Sequence, residues 1–442
     1  MTARICFSTR EGAHLGLNET RLAFISYLLA KKLRGTFIYR LGDAHQKELE
    51  ESRKRLSSLE DLQWLNLSPD ESPLNPRPKY APYAQCERID IYRRYIESLL
   101  AMGAAYERAS PKEKGSSLNG ARPAIYLKMT GIEEGAVSDL RQGRISSNKL
   151  NFNDWLIVDS SGQPSYDFAA MIDDHLMDIS HLIFDANQVP NWNRYVILYR
   201  YFHWHLPLFL SLPPLKIERE DTSSHFVEEL HDKGYLSEAV CNYLFALDIE
   251  EISSDHPNKI EAMIADFDVK KIHNNHRLFD IKTLRRINSL LIKKTTDTEY
   301  AAFVRPFIQR FVSEKYNDDY LLRLAVLFKQ QITHGLELWD FFTPFLEDAP
   351  NLSPSELQLL NLSASKTVVG ELADAIGEFD GEITDVDLLL DNLQHRLQIT
   401  GRDFYLPVRL LLTRMSHGAE LGEIIRFLGK DEVLLRLRQD KD

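Results

Sequence analysis

The sequence predicts a chain in two parts, an α/β region built on a parallel sheet followed by an all-α region. Two observations predict this architecture. Over residues 1–100, short β-rich runs alternate with amphipathic helical runs, and strands joined by helices form parallel sheets. From Phe226 onward the apolar spacing is helical almost throughout, as at residues 321–328 and 421–428, and no internal repeat is evident.

The elements of the α/β region are predicted in chain order. They are a strand at residues 3–8, a helix at 19–33, a strand at 36–41 and a helix at 46–62. Residues 112–122 contain Gly and Ser without periodicity, so they predict a loop in a short insert that ends near Asn153. Strand-like runs at 155–158 and 169–172 are then expected to return the chain to the parallel sheet.

Length and charge set limits on domains and partners. The 442 residues are enough for two to four domains, each with its own core. The formal net charge of −12 weakly disfavours a nucleic-acid partner, because phosphate binding depends on Lys and Arg. Basic clusters at residues 282–286, 293–294 and 436–438 could still line one face of an acidic protein, or could simply be solvated helix faces.

The sequence contains neither a predicted membrane span nor a predicted secretion signal. The longest apolar stretch, residues 195–212, is interrupted by Arg200, His203 and His205. The first residues lack the charged segment, apolar core and cleavage site of a signal peptide. We therefore expect a cytoplasmic monomer with no membrane partner. The three cysteines are far apart, so they predict neither a disulfide framework nor a zinc site.

A series of ordered motifs spans nearly the whole chain. The most informative occupies residues 164–181 and includes the sequence Asp173-Asp174-His175-Leu176-Met177. The others lie at residues 4–16, 35–43, 83–92, 234–244, 279–288 and 406–430. In this order the motifs resemble those of bacterial glutamyl-tRNA synthetases, which are class I aminoacyl-tRNA synthetases.

The resemblance implies an α/β Rossmann-like class I synthetase catalytic domain with a small insert, followed by all-α stem-contact and anticodon-binding domains. It implies catalytic halves at residues 1–103 and 154–225, an acceptor-end insert at 104–153, a stem-contact domain at 226–312 and an anticodon-binding-like domain at 313–442. Members of the family bind ATP and glutamate beyond the carboxyl ends of their parallel strands. The implied macromolecular partner is tRNA.

The nucleotide motifs of the family are kept only in part. His14 and Gly16 match the first and third positions of the family's His-Ile-Gly-His motif, which implies that His14 contacts the ATP phosphates. The family's mobile loop reads like Lys-Leu-Ser-Lys-Arg, and its lysine stabilises charge on the transferring phosphates. Residues 216–221 are Lys-Ile-Glu-Arg-Glu-Asp here, which leaves Lys216 and Arg219 as catalytic candidates beside three carboxylates. Because like charges repel, binding of ATP with Mg is expected to be impaired.

The resemblance places five residues around the amino-acid substrate: Arg4, Ser8, Gly42, Tyr166 and Phe184. Gly42 stands where the family has a glutamate that pairs with the substrate ammonium, and Phe184 stands where it has an arginine near the substrate carboxylate. Each such loss typically costs about 2–5 kcal/mol, so free glutamate is expected to bind poorly. Phe184 could line a pocket for a different acid, or it could fill a site that no longer binds one.

Asp173, Asp174 and His175 could in principle form a metal or acid–base site. The same residues recur in the family as part of the fold around the site, so we predict a structural role for them.

Four functions remain open from the sequence. We predict the first, a tRNA-binding or regulatory protein that has lost normal glutamate adenylation, with Lys282, Arg285, Arg286 and Arg409 as candidate tRNA contacts. The second is an enzyme that activates or transfers another carboxylic acid, or that acts on glutamyl-tRNA in biosynthesis. The third is a working glutamate–tRNA ligase whose lost contacts are compensated. The fourth is a protein-interaction scaffold that does not bind RNA.

Overall fold

The computed structural model divides the chain into two compact units. Unit 1 comprises Met1–His231 and Ser237–Leu284, and unit 2 comprises Asp232–Leu236 and Arg285–Asp442. The boundary near residue 284 falls inside the predicted stem-contact segment rather than at either of its ends. The residues that the structure describes are 2–10, 13–43, 56–108, 122–129, 135–147, 153–185, 192–217, 226–249, 257–313, 315–346, 351–378 and 385–438.

The first two-thirds of the chain contain all the described strands. These are β1 (Arg4–Arg10), β2 (Thr36–Gly42), β3 (Ala105–Arg108), β4 (Ala124–Leu127), β5 (Gly135–Asp139), β6 (Gly143–Ser147), β7 (Trp155–Val158), β8 (His181–Asp185), β9 (Leu208–Leu212), β10 (Leu215–Lys216) and β11 (Arg277–Leu278). The helices of this region are α1 (Leu17–Lys32), α2 (Ser57–Trp64), α3 (Ile89–Ala101), α4 (Tyr166–Leu176), α5 (Trp192–Tyr201), α6 (Val227–Lys233), α7 (Ser237–Asp248), α8 (Ile260–Asp266) and α9 (Ile281–Lys294).

The main sheet has six strands in the order β2-β1-β8-β9-β5-β6. Its described pairs are parallel except at the edge, where β6 runs antiparallel to β5. The predicted parallel sheet is therefore confirmed. Helix α1 buries Ala23, Phe24 and Leu28, and it contacts both β1 and β2. The carboxyl ends of β1, β2 and β8 bring Ser8, Gly42 and Phe184 to the same edge of the sheet.

The predicted insert is not separate from the sheets of unit 1. Strands β5 and β6 lie within it and extend the main sheet, where the Asp139 carboxylate accepts hydrogen bonds from the backbone N–H and the hydroxyl of Ser211. Strands β3, β4 and β7 form a second, antiparallel sheet. The strand predicted at 155–158 is therefore correct as β7, but the expectation that it rejoins the parallel sheet is wrong.

The strand predicted at residues 169–172 is also wrong, because these residues lie in the middle of α4. The helix begins after Ser165, whose hydroxyl accepts a hydrogen bond from the Phe168 N–H. Every residue from Phe168 to Asp174 is buried. A helix buried on all sides shows a continuous apolar run, which periodicity cannot distinguish from a buried strand.

Two further predictions lie partly outside the described residues. The helix predicted at 46–62 is described only from residue 56, where α2 begins at Ser57. The loop predicted at 112–122 lies outside the described residues except for Arg122. Strand β11 is a small exception to the helical prediction after Phe226, since it pairs with β10.

Unit 2 is helical throughout its described residues. Its helices after α9 are α10 (Asp297–Ile308), α11 (Asp318–Leu327), α12 (Leu338–Phe342), α13 (Pro354–Leu360), α14 (Ser363–Glu378), α15 (Val386–Leu397), α16 (Arg402–Thr413) and α17 (Leu421–Arg438). They share one apolar core, and α17 is kinked at Gly429. Within the described ranges, no helix combines the length and apolarity needed to cross a membrane.

Candidate functional site

A cavity of about 440 Å³ lies in unit 1, at the edge of the main sheet where the carboxyl ends of β1 and β8 lie. Ser8, Tyr166 and Phe184 line it, and these are three of the five residues that the resemblance implies around the amino-acid substrate. The other lining residues are Cys6, Phe7, Asn18, Glu19, Leu22, Ser26, Arg40, Asp167, Ala170, Met171, Asp174, Leu182, Ile183, Trp192, Tyr195 and Phe209. Gly42 and Arg4 are not among the lining residues.

Gly42 has no room for a side chain, because the ring of Tyr166 lies against it. A Cβ atom at this position would overlap Tyr166 Cε2 and would lie 2.6 Å from the Thr9 carbonyl oxygen. The Tyr166 hydroxyl is held in turn by the Ser8 hydroxyl at 2.8 Å. Tyr166 therefore occupies the space beside Gly42 that a longer side chain would need.

Phe184 forms an apolar side of the cavity. Its ring meets the ring of Phe209 edge to face, with the centroids 5.8 Å apart. Both rings belong to a cluster that includes the buried Val137 and Trp192. Where the resemblance predicts a cation, this chain has packed hydrocarbon. We call Tyr166, Phe184 and Gly42 together the cavity wall; Gly42 lies against Tyr166 but does not itself line the cavity.

Arg4 is engaged elsewhere in unit 1. Its guanidinium donates two hydrogen bonds to the Glu71 carboxylate, at 2.8 and 2.7 Å, and a third to the Met177 carbonyl oxygen at 2.8 Å. It also stacks on the Tyr80 ring, 3.9 Å from the centroid. Burial alone would lower the pKa of Arg4, but the hydrogen bond and charge of Glu71 raise it. The structure thus does not bring Arg4 together with the cavity-lining residues.

A network of buried charges lies under α4, formed by Arg40, Arg88, Asp173 and Asp174; we call it the α4 network. Arg88 Nε lies 2.6 Å from Asp173 Oδ1, and Arg40 Nη1 lies 2.9 Å from Asp174 Oδ1. Asp174 also accepts a hydrogen bond from the Tyr195 hydroxyl at 2.6 Å. Burial raises the pKa of Asp174, and the charge of Arg40 opposes that shift.

These contacts support the predicted structural role of the Asp-Asp-His sequence. His175 stacks on Trp204 with the ring centroids 3.7 Å apart, and burial lowers its pKa. In the part of the chain that the structure describes, no three His, Cys, Asp or Glu side chains are grouped so as to hold a metal ion.

The nucleotide-site candidates lie among carboxylates. His14 Nδ1 is 3.1 Å from Asp61 Oδ1, and His14 Nε2 is 3.2 Å from Glu228 Oε2. Asp61 also accepts a hydrogen bond from the Leu15 N–H at 2.7 Å, and its pKa is raised by burial. Gly16 precedes α1 and donates its N–H to the Glu19 carboxylate at 3.0 Å.

The second nucleotide motif is described only in part. Lys216 ends β10 and is exposed, whereas Arg219 and Glu218 lie outside the described residues. Sequence reasoning missed Asp61 and Glu228 as neighbours of His14, because both are distant in the chain and neither belongs to a recognisable motif. It missed Glu71 as the partner of Arg4 for the same reason.

The candidate tRNA contacts differ in exposure. Lys282, Arg285 and Arg286 are all exposed on α9. Arg409 is half-buried in α16 and donates to the Ala419 carbonyl oxygen at 2.7 Å. Burial lowers the pKa of Arg409. Its guanidinium therefore supports the backbone after α16, which makes it a weaker candidate for contact with phosphate.

Comparison with known proteins extends over almost the whole chain. A family model described as tRNA synthetases class I (E and Q), catalytic domain, matches residues 7–122 and 114–286. A model described as an anticodon binding domain matches residues 299–440. The chain is 27% identical over 479 residues to a glutamate–tRNA ligase of Bacillus pumilus, with 99% of both chains covered. It is 28% identical over 485 residues to that of Exiguobacterium sibiricum, with 98% of this chain and 99% of the relative covered.

Solved structures show the same fold. A crystal structure of a glutamate tRNA ligase from Elizabethkingia meningosepticum, in complex with its amino acid, matches with a TM-score of 0.82 at 23% identity, covering 99% of both chains. A glutamate-tRNA synthetase from Elizabethkingia anophelis matches with a TM-score of 0.80 at 23% identity, again over 99% of both chains.

Proposed function

This chain belongs to the family of class I tRNA synthetases for glutamate and glutamine, and we propose that it binds tRNA but no longer activates glutamate at an ordinary rate. The loss of glutamate activation and the binding of tRNA depend on different residues. The loss of activation is argued from the cavity wall and from the surroundings of His14. The binding of tRNA is argued from the helical region and from α9.

The packing at Gly42 is the observation that carries the first proposal. A site for an α-amino acid needs an acceptor for the substrate ammonium, and Gly42 has no side chain that could supply a carboxylate. Tyr166 fills the space that a side chain at residue 42 would need. Losing a partner for a partly buried charge typically costs about 2–5 kcal/mol, which is roughly two to three decades of affinity.

Phe184 further lowers the expected affinity for glutamate. The Phe184 side chain itself offers neither a positive charge nor a hydrogen-bond donor to a substrate carboxylate at that position. Arg4, the other cation expected near the substrate, already donates to Glu71 and Met177. A glutamate side chain would therefore be desolvated without an ionic partner from either residue, and that is unfavourable.

The surroundings of His14 oppose the binding of ATP, the other substrate of glutamate activation. Adenylation requires cations and donors around a triphosphate. His14 instead lies between the carboxylates of Asp61 and Glu228. A phosphate approaching either ring nitrogen would meet like charge at close range, unless Mg²⁺ or movement of Glu228 intervened.

The proposed tRNA binding rests on the helical half of the chain. Residues 299–440 match an anticodon binding domain, and the curated relatives that match 98–99% of the chain are named glutamate–tRNA ligases. Exposed cations on α9 add to this support: Arg285, Arg286, Lys293 and Lys294. Neutralisation of phosphates by such side chains, with release of counterions, gives RNA-binding proteins much of their affinity.

ATP–pyrophosphate exchange, run with glutamate both with and without tRNA, tests the first proposal. We expect exchange at least about 100-fold below that of a glutamate–tRNA ligase measured alongside, given the cost of one lost charged contact. Ordinary glutamate-dependent exchange would show that the chain is an active ligase. Exchange with a different carboxylic acid would favour an enzyme of changed specificity.

A gel-shift titration with total tRNA at several salt concentrations tests the second proposal. We expect a shifted band whose affinity falls as salt rises, and we expect the double variant Arg285→Gln/Arg286→Gln to reduce the slope of log affinity against log salt by about 0.7–0.9 per lost contact. The matched control is Arg305→Gln/Arg323→Gln, which removes two arginines already paired with Asp318 and Asp319. Absence of binding at low salt would contradict the proposal.

A further inference from the structure

The two carboxylates beside His14 differ in how firmly each is held. The Asp61 side chain is 7% exposed, and besides its contact with His14 Nδ1 it accepts a hydrogen bond from the Leu15 N–H. The Glu228 side chain, which contacts His14 Nε2 at 3.2 Å, is 51% exposed. Asp61 is therefore a partner built into the fold, whereas Glu228 meets the imidazole ring at the protein surface.

The contact with Asp61 decides which ring nitrogen faces a ligand. A hydrogen-bond partner on one nitrogen of a histidine fixes the orientation of the ring and leaves the other nitrogen to bind a ligand. Here the fixed partner is on Nδ1, so Nε2 is the nitrogen left for a ligand. The Glu228 carboxylate lies at that nitrogen. A phosphate oxygen that binds His14 through Nε2 must therefore displace Glu228.

Backbone hydrogen bonding attaches the start of α6 to the residues just before α1. The Val227 N–H donates to the Leu15 carbonyl oxygen at 2.9 Å, and Phe226 forms an antiparallel bridge with Gly16. Val227 is fully buried. Glu228, the next residue of α6, is therefore held where its carboxylate reaches the imidazole ring. The position of this carboxylate follows from the path of the backbone, and not from the side-chain conformation alone.

The position of His14 in the fold suits a phosphate. His14 lies in the connection between β1 and α1, at the carboxyl edge of the parallel sheet. In open α/β sheets, ligands bind beyond the carboxyl ends of the strands, and phosphates bind at the helix N-terminus that follows. The Glu228 carboxylate is thus an anion of the chain itself, placed where a nucleotide would bring its own.

We infer that Glu228 is an inhibitory residue, whose carboxylate takes the position of a nucleotide phosphate at His14 Nε2 and so excludes nucleoside triphosphates. Removing that charge should allow the chain to bind ATP with Mg²⁺, although the cavity wall still disfavours glutamate. The inference rests on the proposed loss of glutamate activation, and it assigns the nucleotide part of that loss to one residue. Asp61 has a different role, because it holds the ring in the orientation that binding requires.

Isothermal titration with MgATP tests the inference on the full chain and on Glu228→Gln, which keeps the size of the side chain and removes its charge. We expect this variant to bind at least about tenfold more tightly than the unchanged chain. The matched control is Glu229→Gln, which changes the net charge equally at the next, half-buried residue of α6 and should bind like the unchanged chain. Equal binding by Glu228→Gln and the unchanged chain would overturn the inference, and so would an equal gain in the control.

A double-mutant cycle shows whether the gain acts through His14. We expect Glu228→Gln to give no gain in MgATP affinity when His14 is replaced by Ala, because the nitrogen that Glu228 covers is then absent. Both side chains are at least partly exposed, so both substitutions should leave the fold intact, which circular dichroism checks. A tenfold gain that persisted without His14 would mean that Glu228 repels the nucleotide in general, and the inference would be wrong.

The outcomes separate this inference from the proposed function. If Glu228→Gln gains MgATP binding through His14 but shows no glutamate-dependent exchange, both are supported. If Glu228→Gln gains no binding while exchange stays absent, the inference alone fails. If Glu228→Gln gains both MgATP binding and ordinary exchange, the inference holds, but the cavity wall does not prevent glutamate binding. Ordinary exchange by the unchanged chain would contradict the proposed function and this inference with it.

Discussion

The α4 network and the cavity wall both include residues of helix α4, but only the α4 network contains ionised side chains. The α4 network keeps four ionised side chains buried together, and each has a partner of opposite charge at 2.6 or 2.9 Å. The cavity wall includes Tyr166, the first residue of the same helix, and none of its three residues carries an ionised side chain. One region has kept the charges expected from the family, whereas the other has lost them.

The comparison distinguishes two kinds of charged side chain: those that stabilise the fold and those that only bind a ligand. Removing one partner of a buried ion pair leaves an uncompensated charge and typically costs about 3–5 kcal/mol, a large fraction of a domain's stability. A charge that faces only a substrate can be replaced by a well-packed apolar group without that penalty. A chain of this family can therefore lose substrate contacts while its fold is retained.

The largest expected effect comes from breaking the α4 network at Asp173. This carboxylate is fully buried and accepts from Arg88 at 2.6 Å and from the Tyr92 hydroxyl at 2.7 Å. We expect Asp173→Ala to lower the free energy of unfolding by about 3–5 kcal/mol. Urea unfolding, followed by circular dichroism, measures the change.

Asp167→Asn is the matched control for that variant. Asp167 lies on the same helix and pairs with Arg194, but both side chains are partly exposed. Partly solvated pairs contribute about 0–1 kcal/mol, so this control should have a small effect. If Asp173→Ala were no more destabilising than the control, the contrast between the two regions would have no energetic basis.

A smaller effect is expected at the cavity wall, from Gly42→Ala. The new methyl group would overlap Tyr166 and crowd the Thr9 carbonyl oxygen, so one of them must move. Overpacking of this kind costs about 1–3 kcal/mol. The same urea titration measures it, and loss of the Tyr166–Ser8 hydrogen bond should accompany it in a crystal structure of the variant.

Gly370→Ala provides the opposite control for Gly42→Ala. Gly370 lies inside α14 with open space where its Cβ would be. Alanine there should stabilise the helix by about 0.5–1 kcal/mol. If Gly42→Ala stabilised the protein as much as Gly370→Ala does, Tyr166 would not fill the space beside Gly42.

The sequence predicted the fold more completely than the site. Local patterns located β1, β2 and α1 to within two residues at each end, because apolar runs of strand length and of helix length alternate there. Residues 169–172 were predicted as a strand because a helix buried on all sides has no polar face. The antiparallel sheet containing β7 could not be predicted, since strand pairing over long separations leaves no local signal.

The site was predictable only where the motif itself carries the residues. Ser8, Tyr166 and Phe184 do meet at one cavity. Arg4 pairs with Glu71, which is 67 residues away in the chain. His14 is flanked by Asp61 and Glu228, which are 47 and 214 residues away. The closure of Gly42 by Tyr166 is a matter of packing in three dimensions, which a motif alone does not specify.

The smallest expected effect is a change in the pH dependence of stability when Glu71 is substituted. It tests whether the charge of Glu71 stabilises the fold rather than binding a ligand. Burial alone would raise the pKa of Glu71, but its hydrogen bonds from Arg4 and Tyr83 lower it below the ordinary 4.5. A lowered folded-state pKa means that the stability from Glu71 is complete above about pH 4.5 and is lost as the pH falls through the folded value. Between pH 6 and pH 3, the unfolding temperature of Glu71→Gln should therefore fall less steeply than that of the unchanged chain. The control is Glu107→Gln, at an exposed residue of β3, whose unfolding temperature should fall as steeply as that of the unchanged chain. If the thermal stability of all three proteins fell equally with pH, the ion pair between Arg4 and Glu71 would not be formed in solution. Arg4 would then be available to bind a substrate.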